Sequence, residues 1–489
     1  MEGSLLSMIV AVVLICSIVS RQLGAKKWPW PKTTVTTSWD WESVLRFLGI
    51  RLGDVPTTIV RDRAVTVDAL VRRAGVFSDR PAGGGATTII SDGRLQIITT
   101  VPYGPHWVAL RRNLTSEAFH PVRGLARAAP HRARAVSALV ADVAARSSSG
   151  DGVVPVRECL YAALFALNVA TCFGDGVDGE QVEAMRVAQR EFLRILPSFH
   201  VFSTFQKVAR LLYRGRWKQL VHSRRKQEQM YLPLVKACQE RRRRTGCTTS
   251  SYVDTLLDLE VPTGDDPHQR RKLSDGEMVG LVSEYLGAST GTVLALLEWT
   301  LANLVLRPDI QIRLRGELEA AVGGDASCAY LRAVVMESLR RHPPVPSVQR
   351  HMSRDIVVGG TPVGAGTLVN FSLEQIGWDG QVWTSPDHFI PDRFMPGGEG
   401  ANVRLTIGSK ETTKVKMMPF GAGRRICPGM GYATLNLEYF LANLVKAFEW
   451  HPIKGQEVDL TAEHGFFTTM RNPLRARVSA TVNNTGYSV

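Results

Sequence analysis

No two of the seven cysteines (16, 159, 172, 238, 247, 328 and 427) form a CxxC pair. An odd, scattered set in a chain of 489 residues argues against a disulfide framework and for a reducing compartment. No internal repeat is visible, which argues against a repeat architecture. Charged residues reach only 21% against 44% hydrophobic, so the chain is not a disordered one. Acidic residues are in deficit, 45 Asp+Glu against 59 Lys+Arg, and the net charge of +14 suits an anionic membrane surface, an acidic protein partner or nucleic acid. The arginine run "RRRRTG" (241–246) has no aromatic residues interleaved. That argues against nucleic acid and for a solvated loop between helices.

Charge is also missing from Gly3 to Ser20, "GSLLSMIVAVVLICSIVS". Eighteen residues in a helix span roughly 27 Å, close to the hydrocarbon thickness of the endoplasmic reticulum bilayer. Glu2 precedes the run, Arg21, Lys26 and Lys27 follow it, and no small-x-small cleavage site stands out. This pattern predicts an uncleaved single-pass anchor over residues 1–24, with residues 25–489 on the cytosolic side. No second apolar run reaches this length. After the stiff exit "KKWPWPK" (26–32), residues 50–100 read as short strands ("PTTIVRD", "TTIISDG", "LQIITTV"). From Pro105 to about Arg340 the apolar spacing is helical, broken by linkers such as "GDGVDGE" (174–180). Residues 350–410 are irregular, with strand pieces "DIVVGG" and "TLVNFSL". A last helix follows Cys427 and a strand-like tail closes the chain. The fold class predicted is mainly α with a minor β part.

The richest stretch is "MPFGAGRRICPGMGYATLNLEYFLANLVKAFEW" (418–450). Pro428 fits a first helical position, and Ala433, Leu437, Phe440, Leu441, Leu444 and Phe448 mark one helical face. Cys427 then lies at a helix N-terminus, where free N–H groups and the dipole stabilise a thiolate. Gly421, Gly423 and Gly429 permit positive φ and close approach of the backbone to a flat partner. Arg424 and Arg425 add charge suited to carboxylates. A thiolate beneath a planar group bearing acids describes haem with a proximal sulfur ligand.

Phe420, Gly423, Arg425, Cys427 and Gly429 match the FxxGxRxCxG signature, and the chain resembles the cytochrome P-450 family over nearly its whole length. It is most similar to the plant A-type clan and its eighty-ninth family, enzymes of plant secondary metabolism. The resemblance implies the P-450 fold, a haem b cofactor and Cys427 as the axial ligand of its iron. "VVMESLRRHPP" places Glu337 and Arg340 at i, i+3, and "PDRF" supplies Arg393; in the family the matching triad is buried and holds the cysteine loop. Trp107 and Arg111, at i, i+4 in "GPHWVALRRN", match a pair that contacts a haem propionate. Arg350 and Arg425 match further propionate partners.

Residues 288–293, ASTGTV, fall in a long helix predicted from about Asp275 to Arg307. Each of its residues from Ser289 to Val293 is a poorer helix former than Ala, and the glycine alone costs about 1 kcal/mol. In the family this helix crosses the distal face of the haem with the pattern A/G-G-x-D/E-T-T/S. Ala288 and Thr292 match, but Ser289, Gly291 and Val293 replace the glycine, the acid and the last hydroxyl. Glu284 and Glu298 stand about 10 Å along the axis from Gly291, too far to replace the acid. Water in the space left by Gly291, held by Thr290 and Thr292, is expected to relay protons instead. The resemblance implies a monooxygenase drawing electrons from NADPH through a separate reductase. Its substrate is expected to be small and largely apolar, met by residues 85–100, 284–293, 345–349 and 465–469. A hydroperoxide-rearranging haem enzyme and a catalytically weak haem-binding relic are the alternatives.

Overall fold

A computed structural model describes residues 56–481 apart from 82–85, 92–94, 96, 150–151, 203–205, 247–250, 264–265, 321–327 and 407–414. The predicted anchor (1–24) and the "KKWPWPK" exit therefore lie outside the described residues. The elements that position the site begin with strand β1 (Thr57–Val60) and helices α1 (Pro105–Asn113), α2 (Ala129–Ser148) and α3 (Val156–Phe173). Helices α4 (Arg214–Thr245), α5 (Asp275–Leu306) and α6 (Ala329–Arg341) follow, then strands β2 (Ser347–His351) and β3 (Leu368–Ser372). Helix α7 (Met430–Ala447) precedes β4 (Phe448–His451), β5 (Ala462–His464), β6 (Thr468–Met470) and β7 (Arg475–Ala480).

Capping and proline set the limits of α5. The Ser274 hydroxyl accepts the Glu277 N–H while the Glu277 carboxylate accepts the Ser274 N–H, a reciprocal capping box. At the other end Arg307 takes φ −129°, ψ 75° before Pro308, outside the α region that a following proline disfavours. Between these limits α5 runs through both large cores. Met278, Val279, Leu281, Val282, Tyr285 and Leu286 pack in one. Val293, Leu296, Leu297, Leu301 and Leu304 pack in the other, with α3, α6 and α7. Each such fully buried aliphatic side chain contributes about 1.5–3 kcal/mol. Helices α3 and α5 are both long and apolar enough to cross a membrane, but 67% and 78% of their apolar windows lie inside the protein.

The β part is small. Strand β3 pairs parallel with β1 (Thr57↔Leu368) and antiparallel with β2 (Arg350↔Val369). Strand β7 joins residues 153–155 to β4, and β5 with β6 forms a short hairpin (Glu463↔Thr469).

Three local expectations are corrected. Of the three β-rich pieces in 50–100, only the first is a strand among the described residues. Residues Ala86–Ile90 form a short helix, with Ile89 buried against Phe199 and Phe202, so packing overrides β propensity. Residues 98–101 are a turn whose backbone groups are satisfied by side chains: Glu284 accepts the Ile98 and Thr99 N–H groups, and Arg425 donates to the Ile98 and Val101 carbonyls. The arginine run is not a loop but the last turn of α4. Arg241 there pairs with Asp254 and Arg242 with Asp258, at the helix end that favours cations.

Candidate functional site

The cysteine loop is closed by its own backbone. The Cys427 N–H donates to the Phe420 carbonyl at 2.9 Å, and Gly421 and Gly423 take φ of +69° and +71°. A side chain at Gly423 would strike the Leu70 carbonyl, so the close approach made by this glycine is to another strand of backbone. Gly429 has φ −91° and needs no left-handed freedom. Helix α7 starts at Met430 with Gly429 as its cap, so Pro428 belongs to the turn before the helix. That corrects its expected place at the first helical position. Cys427 still receives the Gly429 N–H, and Arg111 and Arg80 favour its thiolate. Enclosure outweighs them and raises the thiol above its ordinary value.

Four guanidiniums converge beside this loop. Arg425 donates to the carbonyls of Ser78, Ile98 and Val101 at 2.8, 3.0 and 2.7 Å, pinning the loop beneath the 98–101 turn. Arg350, on β2, donates to Phe77 and Gln349 carbonyls. Arg111 reaches the Ile426 carbonyl at 2.6 Å. Arg80 is the fourth, and no motif or periodicity marked it. Burial, then the neighbouring cation Arg80, pushes Arg350 down to about 9 and Arg425 to about 10. Arg80 itself is lowered by burial, against the pull of Glu284 and Cys427. Trp107 packs under Arg425, 4.6 Å from ring centre to guanidinium carbon, and its indole N–H is buried without a hydrogen-bond partner. Buried cations crowded enough to depress one another, with an orphaned donor among them, suit a ligand carrying carboxylates. The residues fit haem.

The Glu337 carboxylate lies between two guanidiniums. Arg340 donates to both of its oxygens at 2.7 and 2.8 Å, and Arg393 approaches at 3.4 Å. All three side chains are at most 4% exposed. Arg340 also donates to the carbonyls of Gly377, Pro386 and His388, and the Ile390 N–H donates to Glu337, so the buried charges are satisfied.

Helix α5 exposes one narrow stripe. Glu284, Ala288, Gly291 and Thr292 keep accessible surface in a helix otherwise mostly buried. The hydroxyls of ASTGTV separate by face. Ser289 donates to the Tyr285 carbonyl at 2.6 Å and Thr292 to Ala288 at 2.9 Å. Thr290 points away into the core, accepting from Asn168 of α3, which in turn accepts from the Tyr432 hydroxyl. Thr290 therefore does not face the groove. Nor is the space beside Gly291 free for water: a methyl group there would overlap the Phe467 ring, with Cδ2 at 2.6 Å. Glu284 is on the stripe, but its two oxygens already accept the Ile98 and Thr99 N–H groups at 3.0 and 2.8 Å. Phe467 lies in a segment expected to face substrate, but its contact with Gly291 joins distant parts of the chain and left no trace in either.

A mainly helical fold holding a cysteine loop ringed by arginines defines a class, and comparison with known proteins names it. The family model described as Cytochrome P450 matches residues 43–478. The chain is similar to Cytochrome P450 89A9 of Arabidopsis thaliana, 36% identical over 90% of this chain and 89% of that one. It is also similar to Cytochrome P450 78A11 of Oryza sativa subsp. japonica, 30% identical over 88% and 78%. A zebrafish cytochrome P450 solved with progesterone shares the fold, with a TM-score of 0.69 at 20% identity, over 96% of this chain and 99% of that one. The chain belongs to the cytochrome P450 family and is a monooxygenase of that family.

Proposed function

We propose that the protein inserts one oxygen atom from O2 into a small, largely apolar substrate, taking electrons from NADPH through a membrane-bound reductase. The observation that carries this reading is the Cys427 thiol beside four guanidiniums, of which Arg350 and Arg425 are buried and Arg80 and Arg111 half-buried, with the orphaned Trp107 N–H among them. Cys427 would hold the haem iron, with Trp107, Arg111, Arg350, Arg425 and Arg80 meeting the propionates. Phe420 and Gly423 shape the loop, and the Glu337–Arg340–Arg393 triad keeps it in place. Bound haem supplies the oxygen chemistry, and the positive charge around Cys427 favours its thiolate form. Thr292, whose hydroxyl is within reach of the Ala288 carbonyl, would hold and pass protons in the groove. The net charge of +14 suits an acidic docking face on the reductase. The uncharged N-terminal run suits a single-pass anchor in the endoplasmic reticulum with the catalytic part cytosolic.

One observation favours a second reading. The acid of the family's distal pattern is absent at Gly291, and the nearby Glu284 is already engaged by two backbone amides. A haem enzyme that rearranges hydroperoxides needs no proton delivery to oxygen. The test begins with the reduced, carbon monoxide-bound spectrum of the full chain in microsomes. A strongly red-shifted Soret band and NADPH-dependent product are expected. A band at the neutral-ligand position would overturn the assignment of Cys427, and rapid hydroperoxide turnover without reductase would favour the second reading.

A further inference from the structure

The hairpin β5–β6 carries two adjacent phenylalanines at its tip. Phe466 and Phe467 stand nearly perpendicular, with centroids 4.8 Å apart and planes at 75°. Phe466 is 48% exposed, whereas Phe467 turns onto α5. The tip is fixed on both sides: the Gly465 N–H donates to the Phe467 carbonyl at 3.2 Å, and the Thr468 N–H donates to Pro344 at 2.9 Å. Phe467 is therefore held where its ring edge meets the bare backbone of Gly291, with Cδ2 and Cζ 2.6 and 3.1 Å from where a Cβ would stand. Neither the ring nor a side chain at 291 can occupy that volume without displacing the other.

We propose that Phe467 is the specificity-determining residue of the distal groove, and that Gly291 is glycine to admit its ring. The inference deepens the function proposed above and rests on it for the nature of the group facing the groove. The ring stands in the position that a side chain on α5 would fill, one residue from Thr292. It narrows the groove to ligands slim enough to pass a phenyl edge and lines it with apolar surface in place of a carboxylate. Two consequences follow. Restoring an acid by Gly291→Asp alone adds a clash as well as a charge, so it does not repair proton delivery. Selectivity for ligand width is set from the hairpin tip.

The test uses the full chain with Gly291→Ala, Phe467→Ala and the double variant, compared at one heating rate. Gly291→Ala is expected to lower the apparent melting midpoint, because overpacked sites cannot relax freely. The double variant should return to the midpoint of Phe467→Ala alone. Spectral titration of the haem-loaded proteins with imidazole and 4-phenylimidazole supplies the second readout. Phe467→Ala should tighten 4-phenylimidazole by about tenfold, the scale of one altered pocket contact, with imidazole nearly unchanged. The milder Phe467→Leu should fall between. Additive midpoints, or an unchanged ratio of the two affinities, would overturn the proposal. A protein that takes up no haem would instead sink the functional reading, while the melting cycle still decides the pairing.

Discussion

The two faces of the site obey different rules. In the cysteine loop three signature residues are tied to backbone: Gly423 to the Leu70 carbonyl, Arg425 to three carbonyls, Cys427 to the Phe420 carbonyl. On the distal stripe the constraint is a volume, and a volume can be filled from elsewhere. There the chain departs from the family pattern, and Phe467 fills from the hairpin what a side chain at 291 would have filled. Residue type is held tightly where it fixes backbone geometry and loosely where it only occupies space.

The proximal face should break first and hardest. Cys427→Ser is expected to remove the red-shifted Soret band and all NADPH-dependent turnover, since a hydroxyl in this enclosed site stays protonated. A retained band would make another residue the ligand. Glu337→Ala comes next: it leaves Arg340 and Arg393 buried without their carboxylate, a loss of about 3–5 kcal/mol. Recovery of holoprotein from expression reads that effect, and a near-normal yield would remove the triad from any structural role.

The distal comparison is sharpened by two neighbouring threonines. Thr292→Ala should lower the coupling of NADPH to product by on the order of 10²-fold, the lower range for a proton-transfer group, with little change in stability. Thr290→Ala should do the reverse, costing about 1 kcal/mol through the lost Asn168 bond and leaving coupling nearly intact. Equal effects on coupling would refute the separation by face.

The smallest effect concerns Glu284. Burial holds its carboxyl above the ordinary 4.5, against the Ile98 and Thr99 amides and Arg80. The folded protein thus binds this proton more tightly than the unfolded chain. Its contribution to stability is complete below 4.5 and falls as pH rises through the raised value. Glu284→Gln should flatten that decline in a series of melting midpoints above 4.5. An unchanged slope would assign the decline to another buried carboxyl, such as Glu298.

Much of this architecture was legible before any coordinates. Helix α5 was readable because apolar residues fill its length and Pro308 stops it. The charge triad was expected only through the family resemblance, since Glu337 and Arg340 on one helix face would otherwise read as a solvated surface pair. The turn at 98–101 was not, since its β-branched residues favour a strand and only Glu284 and Arg425, remote in sequence, satisfy its backbone otherwise. The start of α7 was misplaced by two residues because proline suits a turn as well as a first helical position.

The sequence by itself determined the class of the protein, the loop that carries Cys427, the position of the distal helix and the loss of its acid. These are matters of residue type at short spacing, and short spacing acts through local backbone geometry. Only the tertiary structure decided which hydroxyl of ASTGTV faces the groove, that Arg80 joins the cationic cluster, and that Phe467 closes the space at Gly291. Each of those depends on which distant surfaces meet, and close packing lets one side chain stand in for another wherever the volumes agree.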